Sequence, residues 1–112
     1  MTTWNKLVRD RVPEIVEADG LKAVTRALNG GEFFDALHDK LIEEVAELKE
    51  AADREDVIAE AADILEVVTA ICDMHGVTMA EVTRRQTLKR GERGAFTERI
   101  FLIETRPRGG SS

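Results

Sequence analysis

Apolar residues recur at helical spacing along most of the chain, and a few polar, glycine or proline points cut that recurrence into segments. Over about 32–53, Phe34, Leu37, Leu41, Val45 and Leu48 mark the buried stripe of one long amphipathic helix. Over about 55–75 a second helix carries Val57, Ile58, Ala61, Ile64, Leu65, Val68, Ile71 and Cys72, nearly two faces' worth of apolar surface. A helix that wide must be covered on more than one side, which predicts a bundle completed by another subunit. The polar stretch Asp53-Arg54-Glu55-Asp56 separates these two helices, and His75-Gly76 ends the second, with His75 suited to the negative pole of a helix C-terminus. Pro13 fits the first turn of a shorter helix that ends near Asp19, with Gly20 as its C-cap. Asn29-Gly30-Gly31 reads as a break. Thr78, with Glu81 at capping-box spacing, opens a last helix over about 79–91, after which Gly91 and Gly94 interrupt the chain.

Two stretches do not read as helix. Residues 21–28, LKAVTRAL, alternate weakly and suit either a short strand or one more helical turn; residues 97–104, TERIFLIE, are β-branched and apolar at their centre and suit a strand. The pattern as a whole predicts an all-α fold: a helical bundle around an antiparallel hairpin of the two long helices, with a short two-stranded β element if both stretches pair. One domain over 1–106 and a flexible tail over 107–112, within RPRGGSS, account for the 112 residues.

Charge changes this picture more than composition does. Apolar content of 43% is ordinary for a globular chain, whereas 34% charged residues suits exposed helices. The net charge of −6 conceals an asymmetry: residues 1–83 carry eight bases and 19 acids, net −11, and residues 84–112 carry eight bases and three acids, net +5. An acidic body with a basic end fits a cation together with a phosphate better than it fits a long nucleic acid. The single cysteine, Cys72, lies in an apolar helical stretch, so it reads as a small buried hydrophobe in a reducing compartment. No apolar run approaches a membrane span and the start has no signal-peptide core, so a cytoplasmic protein without a membrane partner is expected.

Residues 35–66 hold 12 of the 22 acids and only three bases. Within them, Glu44 and Glu47 are three apart, as are Glu60 and Asp63, and residues three apart share a helix face. The pairs Glu47/Glu60 and Glu44/Asp63 are both centred between Asp53 and Arg54. A hairpin folding there brings Glu47 opposite Glu60 and Glu44 opposite Asp63, one helix turn apart. Leu41, Val45 and Leu48 border Glu44, while Ile64 and Val67 border Asp63, so these acids sit at the edge of the apolar stripe. There they repel and raise one another's pKa unless a cation neutralises them. Carboxylates without clustered His or Cys select Mg²⁺, with Mn²⁺ able to substitute, over zinc or copper. A di-iron bundle requires Glu-x-x-His pairs, and the positions three beyond Glu44 and Glu60 are Glu47 and Asp63. His38 lies beside the stripe as a packed or surface histidine. The bases Lys6, Arg9 and Arg11 near the start are either solvated or a phosphate-facing arm.

The string EExxE (Glu43, Glu44, Glu47) followed by ExxD (Glu60, Asp63) resembles the all-α nucleoside triphosphate pyrophosphohydrolases of the MazG type. NKLVRDRVPEIV near the start and KRGERGAFTERIFL near the end look like the phosphoribosyl-ATP-pyrophosphohydrolase-like subgroup, and the resemblance runs from residue 5 to about 104. It implies a helical bundle assembled as a homodimer or homotetramer. It implies hydrolysis of a nucleotide substrate between its α and β phosphates, giving a monophosphate and pyrophosphate. Carried onto this sequence, the metal ligands are Glu44, Glu47, Glu60 and Asp63. Glu43 supports them or competes with Glu47 for the role of general base, although helix geometry turns Glu43 about 100° from Glu44. Lys6, Arg9, Lys89, Arg90 and Arg93 are candidate phosphate contacts, and Trp4, Phe33 or Phe96 could stack on the base. House-cleaning of the nucleotide pool is the expected role. The phosphoribosyl-ATP step of histidine synthesis and a non-catalytic, metal-binding helical interaction module are the alternatives.

Overall fold

The computed structural model describes residues 1–109. Four helices follow in order: α1 (Val12–Ala18), α2 (Gly30–Glu50), α3 (Arg54–Met74) and α4 (Met79–Arg93). Among the described residues there is no strand, so the fold is all-helical. The chain divides into two compact units, one over Met1–Met79 and one from Ala80 onward. The expected tail over 107–112 falls partly on residues 110–112, which lie outside the described residues.

Local chemistry sets the helix ends. Pro13 occupies the first turn of α1, where a missing N–H costs nothing, and Gly20 takes the left-handed backbone just beyond it, at φ +87°. The Asn29-Gly30-Gly31 stretch starts α2 instead of interrupting the chain, two residues earlier than the sequence pattern suggests. A reciprocal capping box explains the difference. The Glu32 amide donates to Asn29 Oδ1 at 2.8 Å, and the Asn29 amide donates to Glu32 Oε1 at 3.2 Å. Arg26 grips the same carboxylate with both guanidinium nitrogens, at 2.9 and 3.1 Å. Its hydrogen bonds, then the capping contact with Asn29, hold the Glu32 carboxyl down at about 2. Asp53 caps α3 by accepting from the Asp56 amide at 2.9 Å. At the other end, α4 runs through Gly91 to Arg93, and Gly94 at φ +82° follows it.

The two extended stretches are corrections to the sequence expectation. Residues 22–28 carry no regular structure. In 97–104 the expected strand is broken near its start. The Arg99 amide donates to the Phe96 carbonyl at 3.2 Å across a turn, and Arg99 itself sits at φ +57°. The β-branched run Ile100 to Ile103 has the propensity for a strand, but a strand also needs a neighbouring edge with which to pair its backbone.

α2 and α3, joined by residues 51–53, pack on one another. Covered positions spaced four, three and four mark a seam on each helix: Leu37, Leu41, Glu44 and Leu48 on α2, and Glu60, Ile64, Val67 and Ile71 on α3. Leu37 at 3% exposure and Val67 at 7% are its buried apolar residues. Val45, expected on the buried stripe, is 51% exposed, and its neighbour Glu44 is buried at 4%. A seam of period 3.5 selects position 44 over 45 once Leu37, Leu41 and Leu48 are inside. Ile42, Val57, Ile58 and Leu65 also stand exposed on these two helices.

Candidate active site

The seam therefore carries carboxylates at positions where an apolar side chain would ordinarily sit. Glu44 comes from the middle of α2, Glu60 from the second turn of α3, and Asp63 one turn further on. Glu44, Glu60 and Asp63 each offer an oxygen within 4.8 Å of the others, and so do Glu43, Glu44 and Glu47. Glu44 belongs to both groups. Glu43 and Glu47 are exposed, Glu60 and Asp63 are half-buried, and Glu44 is buried.

Two atoms in this cluster are short of partners. Glu44 Oε2 and Glu60 Oε2 are both buried and neither accepts a hydrogen bond. An unsatisfied buried carboxylate oxygen is costly, and native structures seldom leave one without a reason. Desolvation, and then the facing carboxyls of Glu44 and Glu47, push the Glu60 carboxyl up to about 7. The chain supplies two cations at the margins. Lys40, one turn before Glu44 on α2 and mostly covered, places Nζ 3.4 Å from Glu44 Oε1. Arg9 Nη2 donates to Asp63 Oδ1 at 2.6 Å, and Arg9 Nη1 lies 4.0 Å from Glu66. The donor set is all oxygen, and its two orphaned oxygens fit a hard divalent ion, for which Mg²⁺ and Mn²⁺ are the natural candidates.

The other sequence candidates have surroundings of their own. Lys6 Nζ sits 5.0 Å over the Trp4 ring as a cation–π pair. Lys89, Arg90 and Arg93 are exposed on α4, in the second compact unit, and so is Phe96 beyond it. Phe33 is half-buried in the first turn of α2. Its neighbour Phe34 instead makes the aromatic contacts, with His38 at 4.3 Å and His75 at 6.3 Å between ring centroids. His38 Nδ1 is bound to the Phe34 carbonyl at 2.8 Å, which occupies that nitrogen as a packed histidine would. Lys40 is the residue that sequence reasoning missed, although its i,i+4 spacing to Glu44 is visible in the chain.

A stretch of 55 residues, 49% of this chain, is 51% identical to a protein of Mycolicibacterium smegmatis described as an uncharacterized protein. The match spans 55% of that relative, about half its length. No solved structure matches the chain. Residues 6–89, which include α1 to α3, most of α4 and every carboxylate of the cluster, match the model of one family. By that match the chain belongs to the phosphoribosyl-ATP pyrophosphohydrolase family, a MazG-like group of hydrolases that act on phosphorus-containing anhydrides.

Proposed function

We propose that the chain is a Mg²⁺-dependent pyrophosphohydrolase that cleaves a nucleotide between its α and β phosphates, releasing a monophosphate and pyrophosphate. The observation that carries this reading is the pair of buried, unpartnered oxygens on Glu44 and Glu60, beside Asp63, in a helix seam. On this reading α2 and α3 form an antiparallel hairpin, and Glu44, Glu47, Glu60 and Asp63 hold the ion, which Mn²⁺ can replace. The bound ion supplies charge neutralisation at the phosphates and a water of lowered pKa. Whichever of the exposed Glu43 and Glu47 is not fully engaged by the ion would accept the proton of the attacking water. The water's oxygen would bond to the α phosphorus as the α–β anhydride bond breaks, and pyrophosphate would depart with that bond's electrons. Lys6 and Arg9, in the same unit as the carboxylates, then serve the phosphates, and Trp4 or Phe33 the base.

Two substrate classes fit this chemistry. A nucleoside triphosphate would make the protein a house-cleaning enzyme of the nucleotide pool. The alternative is phosphoribosyl-ATP, with which the family match over 6–89 is equally consistent. The exposed apolar side chains Ile42, Val57, Ile58 and Leu65 support a homodimer or homotetramer, because each lies on a helix that already packs its other side. Among the described residues, no helix is long and apolar enough to cross a membrane. We place the protein in the cytoplasm, with a small nucleotide and copies of itself as partners. A release assay across canonical triphosphates, modified triphosphates and phosphoribosyl-ATP, with and without Mg²⁺, tests the reading. Pyrophosphate and a monophosphate from at least one substrate are expected. Orthophosphate with a diphosphate would overturn the cleavage position, and silence across the whole set would favour a metal-binding interaction module.

A further inference from the structure

The two cations at the carboxylate cluster are held in different ways. Lys40 belongs to the same helix as Glu44, one turn away, with a side chain that is mostly covered. Arg9 lies outside any helix, three residues before α1, and its side chain is more exposed than covered. It reaches Asp63 across 54 residues of sequence and anchors there through one short hydrogen bond, with Glu66 at the edge of range. A carboxylate oxygen engaged by a guanidinium has one less lone pair for a metal. A guanidinium bonded to a ligand carboxylate also lies within a few ångströms of the ion, where like charges repel strongly.

We propose that Arg9 is an exchangeable counter-cation of this site: it holds Asp63 while no divalent ion is bound, yields that carboxylate when one binds, and turns its freed guanidinium toward a phosphate of the substrate. The proposal rests on the metal-dependent reading above. The exchange is cheap because an exposed pair of this kind is weak, whereas the buried Glu44 and Glu60 oxygens have no alternative partner. The planar fork of Arg9 suits phosphate oxygens as well as it suits a carboxylate. The same residue therefore shields the cluster in the resting chain and stands next to the incoming charge in the loaded one.

Calorimetric titration of Mg²⁺ into nucleotide-free full-length protein tests this, using wild type, Arg9→Gln and Arg11→Gln. Arg11 is the control for net charge, since it pairs with Glu14 at 2.6 Å and not with the cluster. Arg9→Gln should bind Mg²⁺ roughly two- to fivefold more tightly than wild type, the factor an exposed ion pair is worth, and Arg11→Gln should not. The KM for nucleotide should move the other way and rise in Arg9→Gln. In wild type, the Arg9 Nε–H signal in a nitrogen-15 NMR titration should move toward that of a free arginine as Mg²⁺ saturates. Mg²⁺ binding to wild type with unchanged or weaker affinity in Arg9→Gln, or an unmoved Arg9 signal, would make Arg9 a permanent partner of Asp63 and overturn the exchange alone. No Mg²⁺ binding in any of the three proteins would overturn the metal site and the exchange with it.

Discussion

Glu44→Leu should make the metal-free chain more stable and remove its response to Mg²⁺. Glu44 is 4% exposed, on a seam with Leu37, Leu41 and Leu48, and its Oε2 has no partner. Deleting an unsatisfied buried acceptor gains about 1–3 kcal/mol. Burying a leucine in its place gains about 1.5–3 kcal/mol. Against this stand the lost Lys40 pair, about 0.3–0.5 kcal/mol for i,i+4 partners, and a mostly covered Lys40 left without its carboxylate. The net effect is about 1–4 kcal/mol of stabilisation, the span found when buried ions are replaced by apolar side chains of similar size. For a chain of this length, that is a rise in Tm of roughly 4–16 °C in EDTA. At a hundredfold excess of Mg²⁺ over its Kd, wild type should gain about 2.7 kcal/mol, near 10 °C, and the variant nothing. Differential scanning calorimetry at one fixed protomer concentration reads both quantities. A variant that melts lower in EDTA and keeps the full Mg²⁺ shift would show that Glu44 is an ordinary helix residue, and the seam site would be wrong.

Three further outcomes follow from other parts of the molecule. Glu60 titrates near 7 in the fold against 4.5 in the unfolded chain, so the folded state holds the extra proton between those values. Stability should therefore fall as pH rises from about 4.5 to 7 in EDTA and level off above, while Glu60→Gln should flatten that slope; an equal slope in both proteins counts against the crowded carboxyls. Asn29→Ala removes the cap of α2 and should lower stability by about 1 kcal/mol, read as a drop in the urea midpoint at constant m-value. Light scattering should give a mass above the 12.5 kDa of one chain, and a well-folded monomer at micromolar concentration would contradict the assembly.

The sequence makes the helices legible because their ends are written in local chemistry: Pro13, Asn29, Asp53, Gly76 and Gly94 all lie at or beside observed boundaries. The convergence of Glu44, Glu60 and Asp63 is also readable, since mirror spacing about a three-residue connection leaves few other arrangements. Which side of α2 faces inward is harder. A hydrophobicity pattern assigns Val45 to the inside and Glu44 to the rim, and the packed helices do the reverse, because the seam's period chooses the position and the acid's chemistry does not. The Arg9–Asp63 pair joins an irregular arm to a helix 54 residues away, and no local rule reaches that far. Residues 97–104 misled for the opposite reason: their composition is right for a strand, but pairing is a property of the neighbour and not of the segment.

The seam can be read as stability withheld until a ligand arrives. Leucines at 44 and 60 would extend the apolar line of Leu37, Leu41 and Leu48 against Ile64, Val67 and Ile71, and would close α2 onto α3 without any cofactor. Carboxylates at those positions leave two buried oxygens unpartnered and one carboxyl neutralised near pH 7. The rest of the unit has little to compensate with, since Leu37 and Val67 are its only buried apolar side chains among the described residues. On the proposed reading, such a chain has two routes to firmer packing of α2 on α3, a cation between the helices and a second copy over the exposed faces of Ile42, Val57, Ile58 and Leu65. These act on different surfaces, so they should add. Dilution should then lower the Tm of the Mg²⁺-loaded and EDTA-treated proteins by equal amounts. A concentration dependence that vanished in Mg²⁺ would mean that the ion, and not the partner, completes the bundle.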